Sequence, residues 1–316
     1  MIYQIQIVTA NDSEWIVEQT GRRLQWIKEK GYQLTIDIIQ ESDVNFITLA
    51  LQGNYVDGVF RDEDIENIFK HQLAEVLAES IVNNWEPKLI WREVLRSCKR
   101  NHKDDKKIIF EKAREFIRRC NDNESLNLLM NFGRKNRIAH KILDHLNNND
   151  RIVMEGFINF CVPDYLTEVR FAVELAMEEL KDEKEYNEFV KLLRYFVDSQ
   201  PPKVVEVNLS VDANGVFHLW DGKGTKIEEN YMSFYLEDIS VNEVNIDDVL
   251  ISILITIAPR KIVLHNTENV PVNEAMKMIK NVFHDKIQTC PGCDRCFSHT
   301  GRMSLKSGVK GEKKKV

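Results

Sequence analysis

Three cysteines and a histidine near the end of the chain have the spacing of a metal site: Cys290-Pro-Gly-Cys293-Asp-Arg-Cys296-Phe-Ser-His299. Two Cys-x-x-Cys units share Cys293, and a tight Pro-Gly turn brings neighbouring thiols within reach of one tetrahedral ion. Zinc held by Cys290, Cys293, Cys296 and His299 is the simplest match. An iron–sulfur cluster is a second reading, although the bacterial ferredoxin run requires a further cysteine. Disulfide exchange is a third, because Cys-x-x-Cys lowers a thiol's pKa. The fourth is a flexible tail whose thiols bind nothing.

Folded structure must hold the first of these ligands. Lys286 to Thr289 reads as a short strand running directly into Cys290. Ile262-Val263-Leu264 reads as a buried strand, and a helix beginning at Pro271 and continuing through Phe283 crosses between the two. A helical crossover of this kind makes the strands parallel. Before them, Asn245 and Asp248 signal a helix start, Val249 to Ala258 are almost wholly apolar, and Pro259 ends the helix. A helix apolar on all sides must be covered on all sides, so this segment is core. Val204 to Val211 and Val216 to Trp220, joined by Asp212-Ala213-Asn214-Gly215, read as a β-hairpin, with a further short strand at Thr225 to Glu228.

The rest of the chain divides by pattern. Residues 1–60 read as a small β-α-β-β unit. Its strands lie near Ile2 to Val8, Leu34 to Ile38 and Phe46 to Leu51, and its helix is capped by Asp12 or Ser13. A boundary falls at Gly58 to Asp62. Residues 61–150 form a basic helical region in which Pro87 is expected to break a helix. Residues 151–289 hold helices at Tyr165 to Leu180 and at Asp182 to Ser199, then the hairpin and the helix-strand-helix-strand core. Asp182 with Glu185 resembles a capping box. The second of these helices has an expected core stripe of Tyr186, Phe189, Val190, Leu193, Phe196 and Val197. Residues 290–316 are the Cys-rich segment and a basic tail expected to be disordered. The class is α+β or α/β, with a helix-rich middle and a mixed β-sheet formed from N- and C-terminal strands.

Charge is distributed unevenly. The chain has a net charge of −7, yet Lys88 to Lys141 contains sixteen basic and seven acidic residues. Arg96, Lys99, Arg100 and Lys103 are candidates for phosphate contacts in nucleic acid. A solvated helical face answering the acidic remainder is the plainer reading, since no series of aromatic residues interleaves the basic ones. Gly222-Lys223-Gly224 lacks full phosphate-loop spacing. His140, Asp144 and His145 fit packing better than chemistry. No serine-nucleophile or His-Glu-x-x-His motif is present, so an enzyme is disfavoured.

Three segments together resemble the YtxC-like family of sporulation proteins from endospore-forming Firmicutes. They are F-I-N-F at Phe157 to Phe160, E-Y-N-E-F-V-K-L-L-R-Y-F-V-D-S-Q-P-P-K at Glu185 to Lys203, and D-D-V-L-I-S-I-L-I-T-I-A-P-R-K-I-V-L-H at Asp247 to His265. The hairpin end F-H-L-W-D-G-K-G lies between the last two. The resemblance covers Asp62 to Phe283. Cys161 stands where the family pattern carries Arg after F-I-N-F. The resemblance implies sporulation and a cytoplasmic setting, and it supplies no catalytic residue.

The N-terminus lacks the basic and apolar stretches of a secretory signal. The longest apolar run is about half the roughly 20 residues of a membrane span. Six cysteines without an export signal are expected to be thiols. The resulting expectation is a non-enzymatic cytoplasmic protein that meets unidentified protein partners in sporulation. A nucleic-acid-binding factor and a metal or redox protein are the alternatives.

Overall fold

The computed structural model describes residues 2–53, 61–119, 123–211, 217–227, 246–265, 274–293 and 296. The expected boundary at Gly58 to Asp62 falls mostly outside these, as do the hairpin turn Asp212 to Gly215, Asn245, Pro271 and the tail beyond Cys296. The fold is α+β. N- and C-terminal strands build two separate mixed sheets, one in each of two compact units, Met1–Asp182 and Glu183–Val316.

In the first unit, β1 (Tyr3–Thr9) is followed by α1 (Ser13–Arg23), α2 (Gln25–Glu29), β2 (Gln33–Glu41) and β3 (Val44–Gln52). With β4 (Arg151–Val153) they form a sheet in the order β2-β3-β1-β4. Alternation sends Tyr3, Ile5 and Ile7, with Ile47, Leu49 and Leu51, to one buried face. Against it packs a helical layer whose core includes Ile16 of α1 and Ile65, Phe69 and Leu73 of α3 (Asp62–Ser80).

After α3 the chain does not break at Pro87. It passes through a π-helical turn, Ile81–Trp85, into α4 (Glu86–Ser97). Proline cannot donate to the carbonyl one turn back. The wider turn absorbs that loss: the Glu86 amide donates to the Ile81 carbonyl, and Pro87 sits in the first turn of α4. Then come α5 (Lys103–Arg118), α6 (Glu124–Asn148), α7 (Met154–Cys161) and α8 (Pro163–Ser199). The two helices expected around Asp182 are one helix of 37 residues. The junction Leu180-Lys181-Asp182-Glu183-Lys184 contains no glycine or proline, so nothing stops propagation through it.

The second unit begins within α8. Val190 and Val197 are buried, with Tyr186 and Leu193 beside them. Phe189 and Phe196, expected in that stripe, are exposed, Phe189 to 51%. Positions 186, 190, 193 and 197 keep helical spacing on one face, and 189 and 196 fall about 70–90° from its centre. The sheet order is β6-β5-β7-β8, from β5 (Glu206–Val211), β6 (Phe217–Asp221), β7 (Lys261–His265) and β8 (Ile287–Thr289). β7 and β8 are parallel, as the crossover predicts; β5 is also parallel to β7, and β6 is antiparallel to β5. Of the expected strand at Thr225 to Glu228, the described residues 225–227 show a single bridge, Trp220 to Lys226.

α9 (Ile246–Ile257) and α10 (Glu274–Val282) share a core with one face of this sheet, which presents Val207, Leu209, Leu219, Ile262 and Leu264. No position from Val249 to Pro259 is exposed. Ala258 closes α9 at a left-handed φ of 42°. The chain entering β5 then satisfies the helix end, with the Lys203 amide donating to the Ile257 carbonyl at 3.0 Å. Among the described residues no helix is long and apolar enough to cross a membrane.

Candidate metal centre

The other face of the C-terminal sheet carries the polar residues. Strand alternation puts Asn208 and Ser210 of β5, Trp220 of β6 and His265 of β7 on the side opposite the apolar rows. His265 is the last residue of β7, and Cys290 follows the last residue of β8. Parallel pairing brings these two strand ends to the same height. Leu264 lies opposite Thr289, and the Cys290 amide donates to the Leu264 carbonyl at 2.9 Å. The chain then turns back at Gly292, whose φ of 114° is one that residues with a Cβ rarely adopt. The Cys296 amide donates to the Cys293 carbonyl at 2.9 Å and closes the turn.

One donor atom from each of His265, Cys290, Cys293 and Cys296 lies within 4.8 Å of all the others. The Sγ atoms of Cys293 and Cys296 are 3.7 Å apart, and those of Cys296 and Cys290 are 3.9 Å apart. His265 Nδ1 lies 3.4 Å from both Cys293 Sγ and Cys296 Sγ. Tetrahedral zinc, with bonds of about 2.3 Å to sulfur and about 2.0–2.1 Å to nitrogen, sets sulfurs about 3.8 Å apart and sulfur about 3.5 Å from nitrogen. The four short distances match edges of such a tetrahedron, and the remaining two lie within 4.8 Å, so the group could hold one metal ion. Cluster thiolates stand farther apart, because iron and sulfide ions lie between them.

His265 is also oriented. It is 5% exposed, and its Nε2 is 2.9 Å from Asn208 Oδ1. The Asn208 amide nitrogen is already committed, at 3.3 Å to Glu206 Oε1 and 3.4 Å to the Asp221 carbonyl, so its oxygen faces the ring. An amide oxygen only accepts, hence Nε2 carries the proton and the Nδ1 lone pair points at the thiols. A ligating histidine is held in this way, with its second nitrogen donating to a fixed acceptor. Trp220 lies against the ring, centroids 5.3 Å apart. Burial, aided by side-chain hydrogen bonds with Cys293 and Cys290 and opposed by the Cys293 backbone, pushes the Cys296 thiol above its ordinary value. A divalent cation among the three sulfurs would reverse that balance and ionise them.

The three cysteines read from the sequence are therefore brought together, and the fourth donor in the structure is His265. His299 lies outside the described residues. Lys286, near enough in sequence to offset thiolate charge, instead pairs with Asp198 at 2.7 Å.

The basic segment is largely engaged with acids. Lys135 pairs with Glu75 and Glu79, Lys112 with Glu179, and Arg137 with Glu168. Arg96 is held by Glu93 at 2.6 Å, while Lys99 and Arg100 lie exposed in the α4–α5 turn and Lys103 opens α5. His145 Nε2 donates to the Arg151 carbonyl, 3.0 Å away, and the ring packs edge-on against Phe157. Asp221 Oδ1 accepts the amides of Lys223 and Thr225, so the Gly222-Lys223-Gly224 segment is a side-chain-closed turn. Those backbone donors, Thr225 first, hold the Asp221 carboxyl below its usual range.

The sequence profile of the YtxC-like family matches residues 71–288. The chain belongs to that family. The match includes Asn208 and His265 and stops short of Cys290. The chain is 29% identical over 138 residues to the uncharacterized protein YtxC of Bacillus subtilis (strain 168), an alignment covering 44% of this chain and 48% of that protein. It thus spans about half the length of this relative. No solved structure matches the chain.

Proposed function

We propose that the protein binds one zinc ion through Cys290, Cys293, Cys296 and His265, and that the ion is structural. The observation carrying this reading is four donor–donor distances of 3.4–3.9 Å within a group whose donors all lie within 4.8 Å of one another. All four ligand positions are filled by protein, which is the arrangement of a structural site; a catalytic zinc keeps one position open for water or substrate. The ion would tie the short segment Cys290 to Cys296 to the ends of β7 and β8, since so short a segment has no core of its own. With no catalytic motif in the sequence, the protein acts without enzymatic chemistry, through contacts with other macromolecules. Family membership supports placing those contacts in sporulation, in the cytoplasm.

The test is elemental analysis of protein purified without chelator. About one zinc per chain, lost in a Cys290→Ser, Cys293→Ser, Cys296→Ser triple variant and strongly reduced in His265→Ala, is expected. Absence of metal in the wild type, or equal metal in the variants, would refute the reading. A brown protein absorbing near 400 nm would instead indicate an iron–sulfur cluster.

A further inference from the structure

Among the described residues the N-terminal sheet ends in an open edge. There β2 pairs only with β3, and all nine of its residues, Gln33 to Glu41, lie in that ladder. The strand has no lysine, no proline and no bulge; the only charges it carries are Asp37 and Glu41. Its inward row is Leu34, Ile36 and Ile38. The first two are half-buried against the core, and Ile38 is 46% exposed although its β3 neighbour Ile47 is fully buried. Among the described residues no strand lies beyond Ile38.

The backbone direction follows from the pairing. Leu51 of β3 accepts the Ile2 amide at 2.9 Å, so its carbonyl points towards β1 and away from β2. Its partner Leu34 is therefore in a non-exchanging pair and turns its own amide and carbonyl to the open edge. Alternation repeats this at Ile36, Ile38 and Gln40. The two-residue turn at Ser42 and Asp43, with Ser42 at φ 54°, gives the same phase, since Glu41 and Val44 close the hairpin.

We propose that this edge pairs antiparallel with β2 of a second copy of the chain, making one eight-stranded sheet across a two-fold axis. An axis perpendicular to the sheet keeps inward faces together, so paired residues must be an even number of positions apart. Centring on Asp37 sets that carboxylate against itself, and centring on Ile39 sets Asp37 against Glu41. Centring on Ile38 leaves Ile36 opposite Gln40. Centring on Ile36 sets Ile36 opposite Ile36 and Leu34 opposite Ile38, with Asp37 opposite Thr35. That register keeps the acids apart, covers the bare Ile38 and sets outward amides against outward carbonyls. A self-complementary strand is what an isologous two-fold contact requires.

Sedimentation equilibrium of the zinc-loaded full chain over a concentration series tests this. A mass rising to twice that of the chain is expected. Ile38→Lys should return the protein to monomer, while Ile39→Lys, whose side chain lies on the outer face, should leave the dimer intact. Hydrogen exchange on the unaltered protein gives a readout independent of any variant. The amides of Leu34, Ile36, Ile38 and Gln40 should become protected as concentration rises. A monomer at every concentration, a dimer indifferent to Ile38→Lys, dissociation by both substitutions, or protection confined to other strands would each overturn the proposal.

Discussion

Replacing Asn208 by leucine should weaken the metal site without touching a ligand. His265 Nε2 and Asn208 Oδ1 are 2.9 Å apart at a ring that is 5% exposed. Leucine is close to asparagine in size and cannot accept. The Nε2 proton then loses its partner in a buried site, at about 1–3 kcal/mol. The ring would also lose its preference for the tautomer that leaves Nδ1 free. Losing such a partner typically costs about 10- to 100-fold in metal affinity, equivalent to about 1.4–2.7 kcal/mol. Asn208→Asp retains an acceptor and should keep affinity within a few fold of wild type. Competition for zinc with a chromophoric chelator measures both variants, and thermal unfolding without zinc reports any general damage to the sheet. Unchanged zinc affinity in Asn208→Leu would refute the tautomer argument. Equal losses in the leucine and aspartate variants would show that packing, and not the acceptor, matters at this position.

Other outcomes follow from burial and charge. Leu254→Asp buries a charge at a fully enclosed site of α9, costing several kcal/mol against a typical margin of about 5–15 kcal/mol. Loss of soluble expression or of a cooperative melt is expected; an unchanged Tm would show the α9 core assignment to be wrong. Phe189→Asp, on the exposed face of α8, should change Tm little. Glu86 is buried among Tyr165, whose hydroxyl donates to it at 3.0 Å, and Arg134 at 3.8 Å. Burial raises its carboxyl pKa, against the opposing pull of Arg134 and Tyr165. The folded state therefore holds this proton more tightly than the unfolded state does. The stabilisation so gained is complete below the unfolded pKa and fades as pH rises through the folded one. Glu86→Gln should flatten the pH dependence of stability in that acidic window, measured by denaturant melts, and an unaltered profile would count against the assignment.

Much of the candidate metal site could be read from the sequence, and the part that could not has a definite cause. The Cys-x-x-Cys-x-x-Cys spacing and the strand entering Cys290 are local features. So is the pattern that makes β7 and β8 parallel. His265 is 25 positions before Cys290, and only the register of that parallel pair brings them level. The signal was present all the same, because residues at the carboxyl ends of adjacent parallel strands share an edge, where ligands of α/β sheets collect. Asn208 was hidden more deeply, since its role depends on β5 lying beside β7. Division of the strands between two sheets is likewise long-range: β4 joins β1 across the whole helical region. The Pro87 and Asp182 expectations missed because a local stop signal was weighed without its alternatives, a π-turn in one case and uninterrupted helix formers in the other. For Phe189, apolar character was taken for burial, while its phase on the helix turns it to solvent.

X-ray absorption at the zinc edge, on the wild type and on His265→Ala, tests the central claim most directly. Wild-type protein should show three sulfurs at about 2.3 Å and one nitrogen at about 2.0–2.1 Å, with no metal–metal scattering. The variant should lose the imidazole signature, or lose the metal. A wild-type spectrum without sulfur ligands, one with metal–metal scattering, or a variant spectrum identical to wild type would contradict a single ion held by Cys290, Cys293, Cys296 and His265.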